Sequence, residues 1–170
     1  MNHTHIHSAP LYADSAYDKY FCLKPPPLLW LAVLFLSREI TLPLGMGMAQ
    51  VAGVNSEALT AMRRLWRFDL SIAASVVAAV VLYLFFRRVP GASRAVRWLW
   101  AHGAALLALS AIMDAATTLV AVLRVGELDD RTVLSWLTIA VDIGILCYVL
   151  MTRRVRDSFA DFPPAEAAGT

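Results

Sequence analysis

A chain of 170 residues, 59% of them hydrophobic and only 16% charged, has room for one domain. Soluble domains carry about 45–50% apolar and about 25% charged residues, so this composition, with a mean hydropathy of +0.60, leans towards the membrane. A formal net charge of +2 is too small to argue for nucleic acid, and Cys22 and Cys147 are lone thiols that make no disulfide framework.

In chain order, residues 1–16 are polar, small and aperiodic and are expected to form a disordered tail. His3, His5 and His7 alternate within it, but nothing nearby completes a metal site. From Tyr17 to Leu23 the chain is aromatic and amphipathic, which suits the headgroup layer, with Tyr17 and Tyr20 as interfacial anchors. Pro25, Pro26 and Pro27 then suit a helix start. No cleavable signal peptide is read here, because the apolar run begins only at Leu28 and lacks a small-residue cleavage site.

Four spans are predicted. The first covers residues 27–51, with a kink at Pro43 and a thin outer end of Gly45, Gly47 and Ala49. Residues 52–68 connect it to the next, as an interfacial helix anchored by Trp66 or as an early extension of the second span. The second span is 70–86, with Ser71, Ser75 and Ala79 as a packing seam; Arg87 and Arg88 end it and Pro90-Gly91 turns the chain. The third is 98–123, entered through the headgroup-level anchors Trp98 and Trp100. After an acidic loop at 126–131 the fourth runs from 133 to 151. Residues 17–156 thus form an all-α, four-helix transmembrane domain with short loops, and residues 157–170 a disordered tail. Outside the spans, nine Lys and Arg fall on the side of the termini and five on the other, so the positive-inside rule predicts that both termini face the cytoplasm.

Within these spans lie Arg38, Glu39, Asp114 and Asp142. A charge at the bilayer centre costs about 2.5–3.5 kcal/mol on insertion scales, so such residues need partners. At 1.5 Å per residue, Arg38, Asp114 and Asp142 lie about 17, 24 and 15 Å from the cytoplasmic ends of their spans, close enough to meet through a long arginine side chain. Each shares a face with small or polar residues: Arg38 with Thr41, Gly45 and Met48; Asp114 with Gly103, Leu107, Ser110, Thr117 and Ala121; Asp142 with Ser135 and Thr138. Glu39 is about 100° round the helix from Arg38 and is expected to face the second span, a neighbouring subunit or entering water. Three carboxyls against one arginine are too many negative charges for a low dielectric, so at least one is expected to hold a proton. The cluster reads as a structural lock, as a proton or transport site, or as a seat for a partner's helix.

His102, beside Trp98 and Trp100, reads as a headgroup-level residue. No phosphate-binding loop, nucleophile–base pair, metal-ligand spacing or cofactor motif is found, so the chain is read as a non-enzyme with no cofactor. Its expected partners are the lipid bilayer and other membrane subunits or further copies of itself.

The segment Tyr17-Asp18-Lys19-Tyr20-Phe21-Cys22-Leu23-Lys24-Pro25-Pro26, followed by Leu29-Trp30-Leu31 and Ser37-Arg38, resembles the opening of the YfeZ-like family of proteobacterial inner-membrane proteins. The likeness is strongest over residues 17–45. It implies a bacterial inner membrane and a small multi-span bundle, and it carries no activity. The role expected is an accessory or scaffold subunit of an envelope complex; the alternative is a small oligomeric transporter or channel subunit.

Overall fold

A computed structural model describes residues 12–51, 53, 71–125 and 130–163. Among these the chain is all-α, apart from one isolated β-bridge between Tyr17 and Leu23. A short 3-10 turn at Asp14–Ala16 precedes α1 (Pro27–Leu36), α2 (Arg38–Val51), α3 (Ser71–Arg87), α4 (Arg94–Ala101), α5 (Gly103–Val125), α6 (Asp130–Met151) and α7 (Arg153–Ala160). The expected interfacial helix at 52–68, with its anchor Trp66, lies outside the described residues, as do most of the 126–131 loop and His3, His5 and His7.

The first span is not one helix kinked at Pro43. It breaks at Ser37, and α1 and α2 meet at 82°, while Pro43 sits inside α2. The hydrogen bonds explain the position. In an unbroken helix the carbonyls of Leu34, Phe35 and Leu36 would accept from the N–H groups of residues 38, 39 and 40. Here the Ser37 hydroxyl donates to Leu34 O at 3.3 Å, Arg38 Nη1 to Phe35 O at 3.1 Å, and Ser75 Oγ of α3 to Leu36 O at 2.8 Å. Beyond the break, Ser37 O accepts from Ile40 N, Thr41 N and the Thr41 hydroxyl. Every carbonyl freed by the turn has a donor, as a break at membrane depth requires.

α3 packs against both arms of the broken span on one side and α5 on the other, and α5 pairs in turn with α6. The seam on α3 is Ala74, Ser75, Ala78 and Val81, all buried, which keeps the expected Ser75 but leaves Ala79 only half-buried. Small residues there let backbones approach, and Ser110 of α5 donates to Ala74 O at 2.8 Å. α5 and α6 are long and apolar enough to cross a membrane, and the bent α1–α2 pair makes up to three such spans; α3 is apolar but shorter. Their outer faces carry Leu109, Ile112, Leu123, Leu134, Leu137, Ile143 and Leu150, all exposed, as faces turned to lipid would be.

The expected third span is shortened at its start. Residues 94–101 form a separate helix, α4, capped by Ser93, whose hydroxyl accepts from Val96 N. The Pro90-Gly91 turn before it places Gly91 at φ +80°, a conformation glycine adopts freely. α5 begins at Gly103, where the Phe159 ring lies so close to the backbone that a Cβ would collide with it.

The tails are ordered where they are described. Residues 12–16, expected to belong to a disordered tail, include the 3-10 turn, and Tyr12 OH donates to Asp157 at 2.7 Å. Residues 157–163, likewise expected to be disordered, complete α7 and a strap whose Phe159 and Pro163 are buried. Their apolar side chains fill the space under α4, a contact between segments far apart in the sequence.

Two outcomes follow from this packing. Spin labels on Leu31 and Leu44, both exposed, should report the same separation in Pro43→Ala as in the parent; a longer one would return the bend to the proline. Burial pushes the Cys22 thiol up to about 11. Thiols react as thiolates, so in a Cys147→Ser background maleimide labelling of Cys22 at pH 8 should run about a hundredfold slower than at an ordinary cysteine. It should accelerate as pH rises towards 11, whereas rapid labelling at pH 8 would mean that the amino-terminal segment is undocked.

Candidate functional site

The bend sets Arg38 at the first position of α2, from which its side chain reaches α5. Arg38 Nη1 lies 2.8 Å from Asp114 Oδ2, while the guanidinium stacks over the Phe35 ring with its carbon 4.4 Å from the centroid. The Asp114 contact is a close ion pair without hydrogen-bond alignment. The Phe35 carbonyl holds the guanidinium from behind. Asp142, on α6, lies near enough to feel the charges of Asp114 and Arg38. Asp114 is 1% exposed and Asp142 fully buried, and neither oxygen of Asp142 has a hydrogen-bond donor among the described residues.

Glu39 Oε1 lies 3.6 Å from Arg38 Nε, so part of its charge is answered by the adjacent arginine, whose long side chain spans the angle of about 100° between them.

Chemically, the set brings one guanidinium and two buried carboxyls to the junction of the bend, α5 and α6. The predicted faces agree in part: Gly103, Leu107, Ser110 and Asp114 are buried along α5, whereas on α2 Gly45 and Met48 are exposed and Met46 is buried instead.

A second polar centre, which sequence reasoning did not find, closes the end of the bundle where residues 12–24 and 153–163 meet. Arg88 Nη1 donates to Leu23 O at 2.9 Å and Nη2 to Asp161 O at 3.0 Å, while its guanidinium lies over the Trp100 ring at 4.9 Å. Asp161 accepts from Leu23 N at 2.7 Å, and Trp100 Nε1 donates to the carbonyls of Ser158 and Asp161. Arg88 reads in the sequence as an ordinary span-ending charge, and only the fold shows it buried. Trp100 is 1% exposed and packs against Phe85 and Phe159, which removes it from the headgroup anchors. Trp98 is 61% exposed and stacks on His102, whose Nδ1 lies 2.8 Å from Trp98 O. Tyr17 and Tyr20 are half-buried beside a tight turn, in which Asp18 Oδ1 accepts from Tyr20 N and Cys22 N. That turn points Phe21, at φ +58°, outward and Cys22 and Leu23 inward.

Removing Arg38 would leave two carboxyls without a counter-charge. Arg38→Leu should lower stability by about 3–5 kcal/mol, read as loss of folded protein from membranes. The triple variant Arg38→Leu, Asp114→Leu, Asp142→Leu should recover much of it, because nothing charged is then left unpaired. Parental abundance of Arg38→Leu alone would show that the arginine does not hold these carboxyls.

No curated protein and no solved structure gives a match to the chain. A family model described as "Protein of unknown function (DUF2919)" matches residues 12–161, a stretch that contains Arg38, Asp114 and Asp142 together with Leu23, Arg88, Trp100 and Asp161 of the terminal closure. The chain belongs to that family.

Proposed function

We propose that this is a four-span, non-enzymatic protein of a bacterial inner membrane, YfeZ-like, with both termini in the cytoplasm, and that it serves as an accessory or scaffold subunit of an envelope complex. The observation that carries the reading is the Arg38–Asp114–Asp142 cluster, whose two carboxyls are buried: contacts joining three elements fix helix pairing more readily than they pass a solute. Four spans are supported by the meeting of the amino-terminal segment with residues 158–161 at one end of the bundle, which an even number of crossings produces. α3, at 17 residues, would then serve as the second span. The cytoplasmic assignment rests on the excess of Lys and Arg at that same end. Partners would dock on the exposed apolar faces, in competition with lipid or with another copy of the chain.

A second reading draws on Asp142, whose oxygens lack a donor among the described residues. A buried carboxyl pair is a proton site, and an oligomer could bring water to it.

Two experiments separate these readings. A periplasm-active reporter fused after Thr170 should be silent and one placed in the 126–131 loop active; the reverse pattern would overturn the orientation. The charge-free triple variant at Arg38, Asp114 and Asp142 should keep the cross-linked partners of the parent chain if the cluster is a lock. A stable triple variant that keeps its partners yet loses the phenotype of the parent gene would favour the proton site.

A further inference from the structure

All the carboxylate oxygens of Asp114 and Asp142 are buried without a hydrogen bond among the described residues. The hydroxyls one turn away on the same helices spend their protons elsewhere: Ser110 donates to Ala74 O, Thr117 to Asp114 O and Thr138 to Leu134 O. Arg38 Nη1, 2.8 Å from Asp114 Oδ2, answers one of the two charges. Asp114 Oδ1 and both oxygens of Asp142 are left, and Asp142 feels Asp114 and Arg38 together. Glu39, itself negative, meets the guanidinium at Nε and is partly exposed. A buried oxygen needs a partner, and a buried charge needs a counter-charge.

The helix break lies at the same place. Arg38 Nη1 also donates to Phe35 O at 3.1 Å, so the carbonyl end of α1 and Asp114 Oδ2 meet at one nitrogen. α1 has 10 residues, about 15 Å, which puts the break near the middle of a 30 Å hydrocarbon core. The carboxyl end of a helix carries negative partial charge, and half-helix ends at the midplane are where cations are held in broken spans. The charge of the enclosed groups selects the ion. Arg38, Asp114 and Asp142 leave one negative charge unanswered, which a monovalent cation neutralises and a divalent one overshoots. Water would serve the oxygens and leave the charge; a proton would answer the charge and engage two oxygens at most. A metal cation does both, because hard cations gather several oxygens at once.

We propose that Asp142, with Asp114 Oδ1, binds one monovalent metal cation where α5 and α6 meet the break of the first span. The proposal rests on the reading of the chain as a membrane protein, and it makes the ion the last member of the cluster. The test uses the full chain purified in detergent and unfolded thermally in sodium, potassium, magnesium or choline chloride at constant ionic strength. Relative to choline, sodium or potassium should raise Tm saturably, by about 5–10 °C at a hundredfold excess over the dissociation constant. Equilibrium dialysis with the more stabilising ion in radioactive form should count one per chain. Asp142→Asn, nearly the same in shape, should lose both the response and the bound ion while circular dichroism shows unchanged helix content. If that variant does not accumulate, the ion count on the parent chain decides. No bound ion on the parent, a larger response to magnesium, a response that survives Asp142→Asn, or a Tm that rises on acidification alike in all four salts would overturn the proposal. The last outcome would leave a site for protons only. Release of the chain from membranes by alkaline carbonate would sink the membrane reading itself; a chain that stays in the membrane but binds no ion would sink this proposal alone.

Discussion

The structure depends on how the chain turns at Ser37. A break in a helix frees backbone carbonyls, and a free carbonyl in hydrocarbon costs several kcal/mol. Three side chains remove that cost: Ser37 and Arg38 fold back on the turn before them, and Ser75 reaches across from α3. Arg38 then has two roles, because the guanidinium that serves Phe35 O also meets Asp114. The bend and the ion cluster are one feature, and neither is satisfied without the other.

That coupling bears on what the cluster contributes. Buried ion pairs often add little net stability, since desolvating the charges offsets their attraction. Their better-attested effect is specificity: an unpaired charge in hydrocarbon penalises every wrong arrangement of the helices. With Arg38 on the bend, Asp114 on α5 and Asp142 on α6, only one packing of these elements brings the set together.

The end that holds the termini is built on a different principle. Arg88 and Trp100 Nε1 satisfy main-chain carbonyls of Leu23, Ser158 and Asp161, so the two tails are tied to the bundle through their backbones. The stack of Trp30, Phe85, Trp100 and Phe159 fills the space beneath. A closure of this kind ties the described parts of both tails to the bundle at once.

The sequence by itself determined the all-α class, the apolar segments and the identity of the buried charges. These depend on local sums and spacings: apolar length against bilayer thickness, and charges too costly to stand alone in lipid. It also placed Arg38, Asp114 and Asp142 at compatible depths. The bend at Ser37 in place of Pro43, the burial of Trp100 and Arg88 and the docking of residues 157–163 were decided only by the tertiary structure. Each of these depends on a donor, a ring or a carbonyl brought from a distant part of the chain. A proline signals a missing N–H wherever it stands, but whether a helix breaks depends on who answers the freed carbonyls, and Ser75 stands 39 residues from the carbonyl it serves.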